Sequence, residues 1–296
     1  MDNLCHTLVG AACGEAGLKQ RTHLGSVTLM IAANLPDVDV LVFATGLPSV
    51  AFRRGWTHGV LAQVLLPVAL AAVVAALGRR TGARFGPLLL LSYVGVLSHV
   101  ALDLLNNYGV RLLMPFSQQW FYGDALFIID VWLWLALGIG VWRAFQRKDV
   151  RVARRAGTIA LAYIAAMVVS ASVARAVVGD AWQAAHGDAP RALMVGPLFI
   201  TPFHRAIVVD AGDHYVTGTF RFPRRVEFDE RTIPKHDNHP AVLQAKAADR
   251  RIQAVLIWAR FPYFEVGRAG GRSTVTVRDV RFGSRVGAVT VEIPSP

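Results

Sequence analysis

The stretch LSHVALDLLNNYG, residues 97–109, places a histidine, an aspartate and two asparagines at the end of an apolar run. His99 and Asp103 are four apart, so a helix puts them on one face, where they can close on one object. That object is either a metal ion or each other. Side chains of the same two kinds recur upstream: His6 in CHTLVG, Asp37 and Asp39 in NLPDVD, and His58 in RGWTH. Imidazole and carboxylate together suit a divalent metal, zinc first, with manganese or iron also compatible. In NLPDVD, Pro36 is expected to stop a helix and leave Asp37 and Asp39 on an extended turn facing a cavity. Asn34 is expected to hydrogen-bond one of them. Asp124 and Asp130 are weaker candidates, the first as a helix cap and the second as a partner of Arg53 or Arg54.

The elements that must position these groups are apolar. Of 296 residues, 54% are hydrophobic and 17% charged, against about 25% charged in soluble domains. Nineteen residues between Arg155 and Arg175 carry no charge, close to the roughly 20 needed to span a bilayer. The pattern predicts an α-helical integral membrane bundle of about six helices, the first two short, over residues 1–178. The helices are expected near 3–17, 23–35, 58–78, 86–105, 125–145 and 155–178. From 179 to 296 the composition changes, and a small antiparallel β-domain is expected. FITPFHRAIVVD and HYVTGTFRF read as a hairpin, and VLIWARFPYF, STVTVRDVRF and AVTVEI as further strands. Residues 223–249 read as a loop followed by a short helix. Cys5 and Cys13 lie eight apart on one helix and imply no disulfide.

The formal charge of +11 does not point to nucleic acid, because the cations cluster beside apolar runs. The connections at Lys19–Arg21, Arg79–Arg84 and Arg143–Arg155 hold eleven cations and one acid, whereas 40–57 and 106–124 hold only Arg53, Arg54 and Arg111. Positive charge inside then places the first set in the cytoplasm and the β-domain on the extracytoplasmic side of a bacterial inner membrane. At about 1.5 Å per residue, His58 lies roughly 31 Å from Arg79, Asp103 roughly 28 Å from Arg84 and His99 roughly 22 Å from it. His6, Asp37 and Asp130 lie roughly 20–24 Å from their own basic loops. All fall in the outer half of the membrane, near the same depth. Charges there are costly and normally pair or serve a site.

Each piece has a plainer reading. His99 and Asp103 could join two helices, NLPDVD could be a helix stop, RGWTH could anchor at the headgroups, and His6 could be structural. His236 and His239 in KHDNHP read as a solvated loop. Their common depth favours a shared metal site for His6, Asp37, Asp39, His58, His99 and Asp103.

MDNLCHTLVG, NLPDVDVL, RGWTH, LSHVALDLLNNYG and YGDALFIIDVWLW, in this order over residues 1–145, resemble the bacterial inner-membrane metal-dependent hydrolases of the YdjM-like, LexA-binding family. A more distant similarity is to the zinc-dependent phospholipase C and P1 nuclease group. That likeness implies Asp37 or Asp39, His58, His99 and Asp103 as metal ligands, with His6 near a second ion. The group's later histidines have no match here, so one or two ions are implied, not three.

The expected function is metal-assisted hydrolysis of a lipid or other phosphoester at the membrane. Asp39 or Asp103 would take a proton, Arg54 with Arg53 or Arg111 would neutralise phosphate, and Asn107 would contact substrate. Membrane lipids are the expected partners. Two rivals belong to other classes: a transporter or proton relay using the same groups, and a non-enzymatic scaffold whose buried polar groups only hold helices together.

Overall fold

Asp2 opens the first helix. Its carboxylate accepts the amides of Leu4 and Cys5 at 3.0 and 3.1 Å, satisfying N–H groups that a first turn leaves unpaired. Helix α1 (Asn3–Glu15) is followed by a 3-10 turn at Leu18–Arg21, then α2 (Gly25–Ala32) and a 3-10 stretch, Leu35–Thr45. The short α3 (Ser49–Phe52) precedes α4 (Val60–Leu77), α5 (Phe85–Leu104), α6 (Val131–Arg147) and α7 (Val150–His186). The structure is a computed structural model that describes residues 1–45, 49–269, 272–283 and 287–294.

Among the described residues, α4, α5 and α7 are long and apolar enough to cross a membrane. Helix α2 and the 3-10 stretch after it, bent by 51°, form a fourth candidate. Six embedded helices were expected; α1 and α6, at 13 and 17 residues, are shorter than these. Helix α4 shows the lipid-facing character most plainly. Only its Pro67 and Ala71 are buried, while Leu65 and Leu77 are 62% and 81% exposed. A helix apolar all round, and bare on the protein's outside, suits hydrocarbon.

Several sequence expectations need correction. Helix α6 starts at Val131, not near 125, because Asp130 and not Asp124 is its cap. Asp130 accepts from the Leu133 amide and the Tyr163 hydroxyl, each at 3.0 Å, and so is engaged away from the arginines. Pro36 does not terminate α2, which ends at Ala32; it lies in the first turn of the 3-10 stretch, so Asp37 and Asp39 sit on a helical segment. Helix α7 is longer than expected at both ends.

Two compact units emerge. The first comprises Met1–Asp39, Arg54–Ser172 and Gly196–Pro202; the second comprises Val40–Arg53, Val173–Val195 and Phe203–Pro296. In the first, α2 packs on both α1 and α5, α4 on α5, and α6 on α1. Gly95 permits the α2–α5 approach, since a Cβ there would sit 2.8 Å from the Ala33 nitrogen. Cys5, Leu102, Leu126, Leu133 and Met167 share the core of this unit.

The C-terminal region holds two sheets. Strands β1 (Ala192–Pro197), β2 (His204–Asp210), β3 (His214–Arg221) and β4 (Arg225–Pro234) lie in that order. The expected β2–β3 hairpin is present, antiparallel, with Asp210 opposite Tyr215. Helices α8 (Pro240–Ala248) and α9 (Arg250–Trp258) then lead to an antiparallel sheet of β5 (Pro262–Ala269), β6 (Arg272–Asp279) and β7 (Val289–Pro294). VLIWARFPYF is therefore not one strand: VLIW ends α9, and β5 starts at Pro262. Residues 223–249 contain β4 where a loop was expected. Val242, Ile252, Phe264 and Val275 pack together as one core, and Val178, Trp182, Ile207 and Phe220 as another. Helical N-terminal part and antiparallel β-region together give the fold class that the hydropathy pattern predicts.

Candidate metal centre

Three segments of the first unit bring polar groups to one point. On α5 the buried residues Ser92, Gly95, Val96, His99 and Asp103 recur at helical spacing, so one face of the helix is hidden and carries the His–Asp pair. The 3-10 stretch supplies Asp37, and the turn before α4 supplies His58. Asp37, His58, His99 and Asp103 are all buried, and one candidate ligand atom of each lies within 4.8 Å of the other three. His58 Nε2 is 3.1 Å from His99 Nε2, 3.3 Å from Asp103 Oδ2 and 3.9 Å from Asp37 Oδ1. His99 Nε2 is 3.5 Å from Asp103 Oδ2 and 4.0 Å from Asp37 Oδ1.

The protonation pattern decides what this cluster needs. His99 Nδ1 is 2.7 Å from the Ala33 carbonyl, an oxygen that can only accept. The proton of the neutral ring therefore belongs on Nδ1, and Nε2 presents a lone pair. His58 Nδ1 is 3.0 Å from the Thr57 hydroxyl and 3.7 Å from Asp39 Oδ2, an environment that holds its proton on the same side. Asp103 Oδ2 has no hydrogen-bond partner among the described residues. Two imidazole lone pairs and the open Asp103 Oδ2 thus converge, with Asp37 Oδ1 beside them. A buried arrangement of facing acceptors is costly, and a cation removes the cost. The separations of 3.1–4.0 Å compare with about 3.3 Å between ligands of a tetrahedral zinc whose bonds are about 2.0–2.1 Å. The residues fit a divalent ion.

The other candidate residues take different places. His6 on α1 stacks on His99 with ring centroids 3.7 Å apart, and its Nε2 is 3.4 Å from Asp103 Oδ1. It is fully buried, and neither ring nitrogen has a hydrogen-bond partner among the described residues. Asp39 stands on the far side of His58: its Oδ2 accepts from the Arg54 amide at 2.7 Å and lies 3.3 Å from the Thr57 hydroxyl. Two positions apart on a 3-10 helix, Asp37 and Asp39 diverge and bracket the imidazole. Arg54, 4% exposed, donates to Asp103 Oδ1 at 3.1 Å and Asn106 Oδ1 at 3.0 Å. The amino terminus of Met1 pairs with the same Asp103 oxygen. Arg111 is buried too; its amide donates to the Arg54 carbonyl, and its guanidinium donates to Gln118 and covers Trp120. Gly55 makes room for it, because a Cβ there would sit 2.9 Å from Arg111 Cζ. Asn107 is buried in the segment after α5. Arg53 belongs to the second unit, its guanidinium over the Phe43 ring. Asn34 does not serve a carboxylate with its amide group, which bonds Thr7 Oγ1 and the Met30 carbonyl.

A family model described as YdjM inner membrane protein matches residues 1–178. The chain belongs to this family. Every candidate ligand falls within the matched residues. The chain is also 24% identical over 155 residues to the uncharacterized protein YfhP of Bacillus subtilis (strain 168), covering 49% of this chain and 47% of that one. It thus spans about half the length of the curated relative it matches. No solved structure matches it.

Three contributors escape a residue-by-residue reading of the sequence. The Ala33 carbonyl has no side-chain signal at all. Thr57 adjoins His58 but is chemically unremarked among membrane residues. Asn106, three after Asp103, accepts from Arg54 and from the Tyr108 and Gly109 amides; helical spacing from Asp103 is the signal that could have found it.

Proposed function

We propose that this protein is a membrane-integrated, metal-dependent hydrolase acting on a phosphoester of a membrane lipid or membrane-proximal substrate. The observation that carries the reading is the convergence of four buried ligand atoms, from Asp37, His58, His99 and Asp103, within 4.8 Å of one another. These four would hold the ion, zinc by donor type and spacing. When bound, it would supply Lewis-acid polarisation of a phosphoryl oxygen and a water far more acidic than bulk. His6 Nε2 is a further imidazole nitrogen beside the first ion, while Asp103 Oδ1 next to it is taken by Arg54 and the Met1 amino group.

The chain's own residues do the rest. The Ala33 carbonyl and the Asp39–Thr57 pair hold protons on His99 Nδ1 and His58 Nδ1, keeping both Nε2 atoms available. Arg54 and Arg111 supply positive charge for phosphoryl oxygens, which a guanidinium can engage two at a time. Asn106 fixes the Arg54 fork. Burial of the whole group limits entry of bulk water and suits a substrate arriving from the bilayer. The distribution of cations supports a multi-pass protein with its basic loops in the cytoplasm and the centre toward the extracytoplasmic face.

Metal analysis of protein purified without chelators, followed by a phosphoesterase panel, tests this. About one or two divalent ions per chain and hydrolysis abolished by chelation are expected. Metal-free protein that still folds, or hydrolysis indifferent to chelation, would remove the reading. The short His58–His99 contact beside two carboxylates also favours a second reading, a proton relay; it expects proton flux in liposomes that survives chelation.

A further inference from the structure

A cavity of about 600 Å³ lies in the first unit between α1, α5, α6 and α7. Its wall is made by small and apolar residues, among them Ala12, Ala101, Leu105, Leu137, Gly157 and Ala160. Most of the polar side chains on it bond to backbone carbonyls of the protein. Ser98 Oγ donates to the Gly95 carbonyl, Thr158 Oγ1 to the Arg154 carbonyl, and Arg154 Nε to the Ala16 carbonyl. The interior therefore offers contact and almost no hydrogen bonding, so a polar solute has nothing to replace its water.

Three features specify the occupant. The wall on α7 runs from Ala153 to Ile164, about 16 Å along a helix, a length close to the roughly 15 Å that one lipid chain contributes to a hydrocarbon core about 30 Å thick. It extends from the basic end of α7 toward the depth of the metal centre. The cavity is continuous in the chain with the metal centre: Leu102 on its wall adjoins Asp103, and Val9 on its wall is one turn from His6. Helix α7, which forms one side, is itself apolar enough to lie in a bilayer, so an occupant can enter sideways without meeting water. We propose that this cavity receives one acyl chain of a membrane lipid whose headgroup lies at the metal centre. The proposal rests on the phosphoesterase reading and narrows its substrate to a long-chain lipid.

The test needs no catalysis. Full-length protein is reconstituted in vesicles of phosphatidylglycerol doped with the same lipid carrying a photoreactive diazirine in its acyl chain, and cross-linked peptides are mapped. Wild type should label on the cavity-lining parts of α5 and α7 above the level of the outward face of α4. Gly157→Trp should lower that labelling at least tenfold. A Cβ at Gly157 meets nothing within 4 Å, so the added ring enters open space; Gly157→Leu is a milder plug and should give an intermediate loss. Ile159→Trp, on an exposed part of α7, should leave the labelling unchanged. Labelling spread evenly over all outward helix faces, or cavity labelling indifferent to both Gly157 variants while they remain folded, would overturn the proposal. The two readings fail separately. Cavity labelling in a protein that hydrolyses no phosphoester leaves the pocket and removes the enzyme. Chelation-sensitive hydrolysis without cavity labelling does the reverse.

Discussion

Two fully buried aspartates in this chain have opposite surroundings. Asp279, at the end of β6, accepts from the Arg260 and Arg281 amides and from Arg281 Nε and Nη2, all at 2.8–3.1 Å. Both of its oxygens are occupied by the protein's own donors, and the Arg281 guanidinium rests over Trp258 and Phe282. Asp103, at the end of α5, gives only Oδ1 to donors, namely Arg54, the Met1 amino group and the Asn106 side-chain amide. Its Oδ2 faces two imidazole nitrogens and has no hydrogen-bond partner among the described residues. Burial alone therefore does not mark a functional acid. What separates the two is whether the folded chain completes the carboxylate's coordination or leaves it open toward other acceptors.

That contrast can be broken most forcefully at His99. His99→Ala removes a lone pair from the open cluster and should take the bound divalent ion from about one per chain to near zero, read by elemental analysis of chelator-free protein. The loss should exceed the 10–100-fold typical of an outer-shell partner. Asp279→Ala should do the opposite. It strands Arg281 and should cost about 3–5 kcal/mol of stability, as breaking a buried pair does, seen as a lowered unfolding midpoint of the purified protein. Its metal content should match wild type. Metal loss in Asp279→Ala, or full metal retention in His99→Ala, would erase the distinction between the two acids.

Asp39 sharpens the contrast, because it belongs to neither class. It lies beside the open cluster yet is occupied by the Arg54 amide and the Thr57 hydroxyl. Asp39→Asn keeps the shape and weakens the hold on the His58 Nδ1 proton. Metal affinity should fall about 10–100-fold, or roughly 1.4–2.7 kcal/mol, measured by competition with a chelating dye. An unchanged affinity would mean that Thr57 alone orients the ring. Complete loss would place Asp39 among the ligands.

Much of this centre is readable from residue types and spacing, because bilayer physics restricts where ionisable groups can go. The apolar runs locate α4, α5 and α7, and rise per residue puts His6, Asp37, His58, His99 and Asp103 at one depth. The roles of Asp37 and Asp39 are not readable. They depend on a 3-10 geometry that sends two neighbouring acids to opposite sides of one imidazole, and an extended turn was the simpler inference from Pro36. The β-region was harder for a different reason. Strand β4, RVEFDERTIP, is largely exposed, while the VLIW run that looks like a strand is the end of an amphipathic α9, with Val255 and Trp258 buried and Ile257 exposed. Short apolar runs do not separate helix from strand, and only the preceding Arg250–Gln253 turn, capped by Asp249, settles it.

A third buried acid gives the finest comparison. Asp130 is 5% exposed and lies in the same compact unit as Asp103, but its two oxygens are each taken, one by the Leu133 amide that starts α6 and the other by the Tyr163 hydroxyl of α7. If completed coordination is what makes a buried acid structural, Asp130 must behave like Asp279 despite sharing a unit with the candidate metal centre. Asp130→Ala should cost about 1 kcal/mol, the typical worth of an N-cap, and leave metal content unchanged. Tyr163→Phe should cost a similar amount through its lost hydrogen bond. Because the two side chains touch, the double variant should cost less than the sum of the singles. Additive losses would show that the Tyr163 contact contributes independently of the cap, and any loss of metal from Asp130→Ala would tie α6 to the centre in a way that its saturated carboxylate does not explain.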